Sequence, residues 1–325
     1  AQINDHDRYL EEGIKLFDNG DYKGAIERYQ KALEIDKTSP AVNYEMSSTY
    51  FNLKEYDKAI EYSEKVISKN KLYVDQAYII KGSAEDMMGK PKDAMKTYKK
   101  GIKDYPENHL LLFNLGYTAY KIKEYKEAQN ALQKATTIKP SHSSSHLLMA
   151  YVMDEQGSRV RAMLALYNFL LLEPEGNRAE AAYKMLAGLQ KKGVSKEGSN
   201  TINISLPADS KEPDEFRAAE LMVSMLEASK NLEKNDGKTE EELFASNTKS
   251  FFDMLGELKK NEKGFWWNYY VDFFYAMSKA GHTEAFSYYI SQITEKAPVT
   301  KWLDANKSKI TAFADWYKSY ERKVK

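Results

Sequence analysis

The sequence predicts an all-α protein whose first half is a helical solenoid. Three observations carry that expectation. A small residue followed twelve positions later by alanine recurs five times: Gly13 and Ala25, Ser47 and Ala59, Gly82 and Ala94, Gly116 and Ala128, Ala150 and Ala162. The period is 34 or 35 residues, the spacing at which stacked helical pairs repeat. Eight prolines and sixteen glycines in 325 residues are few, which favours helix over a turn-rich β fold.

Each repeat reads as two helices joined by a tight turn. In the first, Tyr9, Gly13 and Leu16 lie at helical spacing. Gly20-Asp21-Tyr22 makes the turn, and Ala25, Ile26, Tyr29, Ala32 and Leu33 form the apolar stripe of the second helix. Lys37-Thr38-Ser39-Pro40 ends it. Later repeats keep the columns. The turn residue is Gly20, Lys54, Gly89, Lys123 or Gly157. Sixteen after the small residue stand Tyr29, Ser63, Tyr98, Leu132 and Leu166; nineteen after it, Ala32, Val66, Gly101, Ala135 and Phe169. Pro106, Pro140 and Pro174 close repeats three to five, where repeats one and two have Lys37 and Lys71. Small residues belong where the two helices of a pair approach closely, and bulky ones fill the space to the next pair.

These columns resemble the tetratricopeptide repeat (TPR) family over residues 6 to 192. The nearest matches are Asn114-Leu115-Gly116-Tyr117 with Glu124-Tyr125-Lys126-Glu127-Ala128, and Gly20-Asp21-Tyr22-Lys23-Gly24-Ala25-Ile26. Repeat two departs most, with Ser47, Ser63 and Lys71, and repeat three carries Pro91 where the others have tyrosine or arginine. The resemblance implies a right-handed TPR α-solenoid of five helical pairs plus an added helix at 177–192, which would cap the fifth pair. Domain boundaries follow as 1–192 for the solenoid, 193–213 for a linker and 214–325 for a C-terminal helical domain.

The linker run from Lys191 to Asn200 is rich in glycine, lysine and serine, and Thr201 to Pro207 alternates as a short extended segment laid against a helix. Beyond it, Pro213-Asp214 opens a helix carrying Phe216, Ala219, Met222, Val223, Met225 and Leu226. Thr239 and Glu242 form a capping box ahead of Leu243, Phe244, Phe251, Phe252, Leu255 and Leu258. The aromatic run 265–275 has rings on nearly all sides and no lysine or arginine, which marks a core helix, not a membrane-surface one. Gly281 turns into a helix with Ala285, Phe286, Tyr289 and Ile290, as in a degenerate repeat. One last helix holds Trp302, Leu303, Ile310, Phe313, Trp316 and Tyr317. This region either continues the solenoid or forms a small bundle packed on it.

The family resemblance places the first helix of each pair along a concave groove. On that side it implies Leu10, Ile14, Tyr44, Phe51, Phe113, Tyr117, Tyr120, Tyr151 and Asp154, with the partner-binding residues taken as Tyr44, Phe51, Phe113, Tyr117, Tyr120 and Tyr151. The alternative for each aromatic is packing between adjacent repeats. The lysine, arginine and asparagine clamp by which chaperone-binding members hold a carboxylate is missing: Leu10, Ile14, Glu45, Ile79 and Ser83 stand there.

The expected function is a non-catalytic scaffold that binds a protein or peptide. The alternative is an envelope protein capturing a glycan or small ligand on exposed Trp266, Trp267 and Trp302. Lysine plus arginine and aspartate plus glutamate number 48 each, so the balanced charge lacks the basic footprint of bulk nucleic-acid binding. No stretch is long and apolar enough for a transmembrane helix. The absence of cysteine removes disulfides and thiolate chemistry. No phosphate-binding glycine loop or nucleophile elbow occurs, and no cofactor is expected. His142 and His146 share a helix face, yet no third metal ligand is indicated; they read as solvent-exposed residues at a helix start. The Ala1-Gln2 start suggests an exported, periplasmic or surface-associated product, with a trimmed cytoplasmic protein as the alternative.

Overall fold

A computed structural model describes residues 4–69, 72–197, 201–206, 210–211, 213–232, 235–259 and 262–322. Ala1, Gln2 and Pro207 lie outside the described residues, as do positions 198–200 of the linker run. The chain divides into two compact units, Ala1–Ile138 and Lys139–Lys325.

The first unit holds four helical pairs: α1 (Asp5–Asp18) with α2 (Tyr22–Ile35), α3 (Pro40–Asn52) with α4 (Tyr56–Lys69), α5 (Val74–Met87) with α6 (Pro91–Asp104), and α7 (His109–Lys121) with α8 (Tyr125–Ile138). Side-chain caps start several of them. Asn4 accepts from the Asp7 amide and Asp21 from the Gly24 amide, while Asn108 accepts from those of Leu110 and Leu111. The small-residue column works as anticipated. A Cβ on Gly13 would lie 2.4 Å from Tyr29 Cε1, and one on Gly82 would lie 2.4 Å from Tyr98 Cε1. Tyr29, Ala32, Val42 and Met46 form a solvent-free core with Ala25 and Ala59.

The turn column has a single backbone geometry. Gly20, Lys54, Gly89 and Lys123 are all left-handed, with φ of 80°, 62°, 74° and 63°. In each, the next amide reaches back to the last turn of the first helix: Asp21 to Leu16, Glu55 to Tyr50, Lys90 to Glu85 and Glu124 to Ala119, all at 2.9 Å. A side chain at such a position is strained by its own Cβ. Lys54→Gly and Lys123→Gly are therefore expected to stabilise the fold by a few tenths to about 1 kcal/mol each, net of the glycine's greater unfolded entropy. Urea unfolding followed by circular dichroism measures this. A lowered midpoint in both variants would contradict the strain argument.

Along the first unit, α1 packs on α3, α3 on α5 and α5 on α7, while α2, α4 and α6 pack on the first helix of the following pair. The first helices thus make the inner layer, where neighbours along the array touch.

The second unit begins with the fifth pair, α9 (Ser143–Glu155) and α10 (Arg159–Leu172), joined through Gly157 at φ 67°. It continues with α11 (Asn177–Lys191). The sequence RVRAMLALYNFLLL is apolar on almost every side, and α10 is buried from Arg159 to Leu171. It packs on α9, α11, α12 (Asp214–Ser229) and α15 (Thr283–Ser291). Tyr167 of α10 centres an aromatic cluster with Phe251, Phe252, Phe274 and Phe286, whose ring centroids lie 5.1–6.4 Å away.

The extended segment expected from Thr201 is present as a strand, and two expectations for this region need correction. Part of the linker is a hairpin: β1 (Val194–Glu197) pairs antiparallel with β2 (Thr201–Ile204), Val194 opposite Ile204. Gly193, at φ 77°, permits this, because a Cβ there would lie 2.2 Å from the Ser205 carbonyl oxygen. The expected last helix is two, α16 (Ala297–Ala305) and α17 (Lys307–Ser319), broken at Asn306, whose φ −121° and ψ 34° leave helical space. Met225 of α12 is exposed.

The capping box forms: Glu242 donates its amide to Thr239 Oγ1 and Thr239 its amide to Glu242 Oε2, opening α13 (Glu240–Leu258). The aromatic run is core, with Trp266, Trp267, Tyr269, Tyr270, Phe273 and Phe274 buried. It enters as a π-helical turn, Trp266–Val271, that continues as α14 (Asp272–Lys279). Gly281 makes the same left-handed turn as the repeats, φ 79°, but α14 and α15 pack principally on α13.

Candidate partner-binding face

The candidate face is built on α1, α3, α5 and α7 of the first unit. Phe113 and Tyr117, one helical turn apart on α7, stack at 6.4 Å with an interplanar angle of 19°. Tyr117 is 45% exposed. Lys121, one turn further, puts Nζ 5.4 Å from the Tyr117 ring centroid and 2.5 Å from Asp86 Oδ2 of α5. This ion pair links neighbouring first helices and holds an aromatic ring against a cation. Met87 is 57% exposed and Leu110 is 40% exposed, so the apolar surface of α5 and α7 extends beyond the tyrosines. Neither was singled out from sequence; both lie off the columns that define the core, and only their exposure distinguishes them.

Phe51 and Tyr120 are half-buried and turn toward their own pair's second helix. Phe51 lies 5.7 Å from Tyr56, and Tyr120 lies 6.1 Å from Tyr125. Phe17 and Tyr22 make the same contact at 5.3 Å in the first repeat. Repeat three has Asp86 and Pro91 at these two positions, and repeat five Asp154 and Arg159. Both aspartates take lysine partners instead: Lys121 for Asp86, and Lys192 for Asp154 at 3.3 Å.

Tyr44 of α3 is half-buried and lies flat on Tyr73, with centroids 5.0 Å apart and planes 9° apart. Tyr73 caps α5 in the left-handed region at φ 63°. Burial first, then Glu45, Tyr73 and Asp75, raise the Tyr44 phenol above its ordinary pKa. Burial and the Asp18 carboxylate raise the Glu45 carboxyl likewise. Tyr151 sits half-buried on α9 in the second unit. The structure therefore joins Phe113 with Tyr117, and sets Tyr44 against a tyrosine that the columns did not mark.

The histidine pair is not a surface feature. His146 is fully buried; its Nδ1 lies 2.7 Å from the Tyr270 hydroxyl and its Nε2 lies 2.9 Å from the Pro140 carbonyl oxygen. The carbonyl can only accept, so Nε2 carries the proton and Nδ1 accepts from Tyr270. Burial, with Arg322 adding to it, lowers the His146 pKa to about 3. His142 Nδ1 pairs with Ser145 Oγ at 2.7 Å. Among the described residues no group of three or more histidines or carboxylates is placed to hold a metal ion. The tryptophans are inside too. Trp266 and Trp267 are buried, and Trp302 is half-buried, flush on Tyr288 at 4.2 Å and 2°. No helix among the described residues is long and apolar enough to cross a membrane.

Family models described as tetratricopeptide repeat match residues 16–72 and 110–142. A TPR repeat-containing protein of Methanocaldococcus jannaschii is 27% identical over 159 residues, which cover 46% of this chain and 28% of that protein. The BBSome complex member BBS4 of Bos taurus is 28% identical over 142 residues, 44% of this chain and 27% of that protein. The chain thus spans little more than a quarter of the length of these two curated relatives. The crystal structure of PilW, described as a type IV pilus biogenesis factor, is 19% identical with a TM-score of 0.48; the match covers 57% of this chain and 92% of that one. The repeated helical pairs of the first unit are tetratricopeptide repeats.

Proposed function

We propose that the inner layer of α1, α3, α5 and α7 docks an extended peptide segment of a partner protein, and that the chain serves as a non-catalytic scaffold. One observation carries this reading. Met87, Leu110 and Tyr117 present apolar surface to solvent from helices whose other faces are locked in the core. Rigid tyrosines on a preformed surface lose little entropy on binding and offer both an apolar ring and a polar hydroxyl. The tryptophans on which sugar stacking would depend are instead packed in the second unit, which favours the scaffold over ligand capture.

The test is alanine at Tyr117. The ring is exposed, stacking on Phe113 with Lys121 beside it, so the fold should be kept within about 0.5 kcal/mol. Affinity for a peptide selected on the wild-type chain should fall about tenfold, the effect of losing an aromatic anchor. Tyr120→Ala should lose affinity and some stability together, because Tyr120 also packs on Tyr125. Unchanged affinity in both variants would remove this face from the reading.

A further inference from the structure

The hairpin of the second unit is a sheet of two strands, so among the described residues neither outer edge has a third strand beside it. The two edges are not alike. β1 reads Val194-Ser195-Lys196-Glu197, and its lysine and glutamate are exposed. Charged side chains, lysine above all, keep a free edge from pairing. β2 reads Thr201-Ile202-Asn203-Ile204 and runs on into Ser205 and Leu206, with neither charge nor proline. Ile204 is 43% exposed and Leu206 is 42% exposed. Ser224 Oγ of α12 lies 3.5 Å from the Ser205 carbonyl oxygen, and the same helix leaves Leu221 and Met225 exposed beside the base of the hairpin.

The register fixes which backbone groups β2 turns outward. The Ser205 amide donates to the Gly193 carbonyl at 2.8 Å, so these two residues face each other as a hydrogen-bonded pair. Bonded and non-bonded pairs alternate along an antiparallel ladder. Asn203 with Ser195 and Thr201 with Glu197 are then bonded pairs, while Ile204 with Val194 and Ile202 with Lys196 are not. The N–H and C=O groups of Ile202 and Ile204 therefore point away from β1, and no hydrogen bond among the described residues reaches them. The strand period puts Ile202, Ile204 and Leu206 on one face and Thr201, Asn203 and Ser205 on the other.

We propose that β2 pairs antiparallel with β2 of a second copy of this chain, about a two-fold axis at Asn203, joining the two hairpins into one continuous sheet. The segment is self-complementary in that register. Ile202 of each copy meets Ile204 of the other through their outward backbone groups, so both pairs are hydrogen-bonded. Thr201 meets Ser205 and Asn203 meets itself, so apolar faces apolar, polar faces polar, and no charge meets its like. β1 offers no such match, because pairing it with itself through its outward residues sets Val194 against Lys196. An isologous contact of this kind closes as a dimer, and the edges then left free are the charged ones. The pairing is independent of the docking face of the first unit.

Sedimentation velocity of the full chain from about 5 to about 500 μM tests this, and the wild type should pass from monomer to dimer within that range. Ile204→Pro removes an N–H that points away from β1, the place where an edge strand tolerates proline. Ile202→Lys sets a charge on the same edge. Each should raise the dimer dissociation constant at least about tenfold with the circular dichroism spectrum unchanged. The chain has no cysteine, so a single introduced thiol reports the contact. Asn203→Cys gives up an exposed hydrogen bond to Glu197 and places two sulfurs across the axis in a non-bonded pair, with Cα atoms about 4.5 Å apart and within disulfide reach. Oxidation should convert it to a covalent dimer and leave Ser195→Cys, on the exposed face of β1, monomeric. A wild type that stays monomeric throughout, edge variants that dimerise as the wild type does, or equal cross-linking of the two thiols would overturn the pairing. A monomeric wild type that binds a displayed extended peptide, with binding lost in Ile204→Pro, would overturn it in favour of a foreign strand on the same edge.

Discussion

Gly82→Ala is expected to destabilise the first unit by about 2 kcal/mol or more, although alanine is the better helix former. The reason is geometric. The new Cβ would lie 2.4 Å from Cε1 and 2.7 Å from Cζ of Tyr98. That ring cannot step aside: Tyr98 is 1% exposed, and its hydroxyl is hydrogen-bonded to Ser83 at 3.1 Å. A close-packed interior transmits such a clash to backbone. The clash should outweigh the gain of about 1 kcal/mol that alanine brings to a helix interior.

The chain supplies its own control for this prediction. Across the repeats, the small residue and its partner sixteen positions later vary together: Gly13 with Tyr29, Ser47 with Ser63, Gly82 with Tyr98, Gly116 with Leu132, and Ala150 with Leu166. Glycine meets tyrosine or leucine, while larger small residues meet serine or leucine. The double variant Gly82→Ala/Tyr98→Leu installs the Ala150–Leu166 combination in the third repeat. Tyr98→Leu alone should cost about 2 kcal/mol through the void it leaves. The double variant should then cost less than the sum by at least about 1 kcal/mol. Urea unfolding of the four proteins decides it. Additive losses would mean that the two side chains do not meet.

The repeats were legible because their signals are local and repeated. Helical spacing, the small residue and the left-handed turn recur in one register, so each repeat corroborates the next. Even the non-glycine turns, Lys54 and Lys123, adopt the left-handed geometry that the column implies. The stacking of the first helices on one another was legible in outline, since α1, α3, α5 and α7 do pack in succession. Its detail was not. Tyr73 joins Tyr44 through a left-handed cap that no column marks. The second unit was legible as helix and core but not as packing. Its contacts are distant in sequence: His146 meets Tyr270, and Tyr167 meets Phe251 and Phe274. A glycine turn at 281 therefore identified a turn without identifying what the flanking helices pack against. Asn306 broke the last helix without a proline or glycine to announce it.

Arg159→Ala is expected to cost the second unit about 3 kcal/mol, the scale of losing a buried, multiply bonded charged group. By column Arg159 is the counterpart of Tyr22, Tyr56, Pro91 and Tyr125, a residue just past the turn. In the fold it is 2% exposed and ties three elements together. Nε donates to the Leu189 carbonyl at 2.6 Å and Nη2 to the Gln190 carbonyl at 2.8 Å, while Nη1 donates to Ser224 Oγ at 2.9 Å. The two carbonyls belong to the last turn of α11, where intrahelical donors run out and the helix dipole is negative. The guanidinium is thus the cap of α11, supplied by the start of α10. Ser224 then passes the link on, lying 3.2 Å from the Lys192 carbonyl oxygen and holding α12 against the base of the hairpin. Removing the side chain takes a donor from two helix-end carbonyls, of which Leu189 keeps the Lys192 amide at 3.3 Å, and loosens the link between α12 and α11. Arg159→Lys should recover less than half of the loss, because one ammonium cannot present donors along the three directions that the planar fork covers. Hydrogen exchange gives the sharper readout. Amides of α11 and α12 should lose protection before those of α13 and α15, whose packing does not involve Arg159. Uniform loss of protection across the unit would indicate a general core defect instead of a missing cap, and a variant as stable as wild type would show that the three bonds carry no net stability.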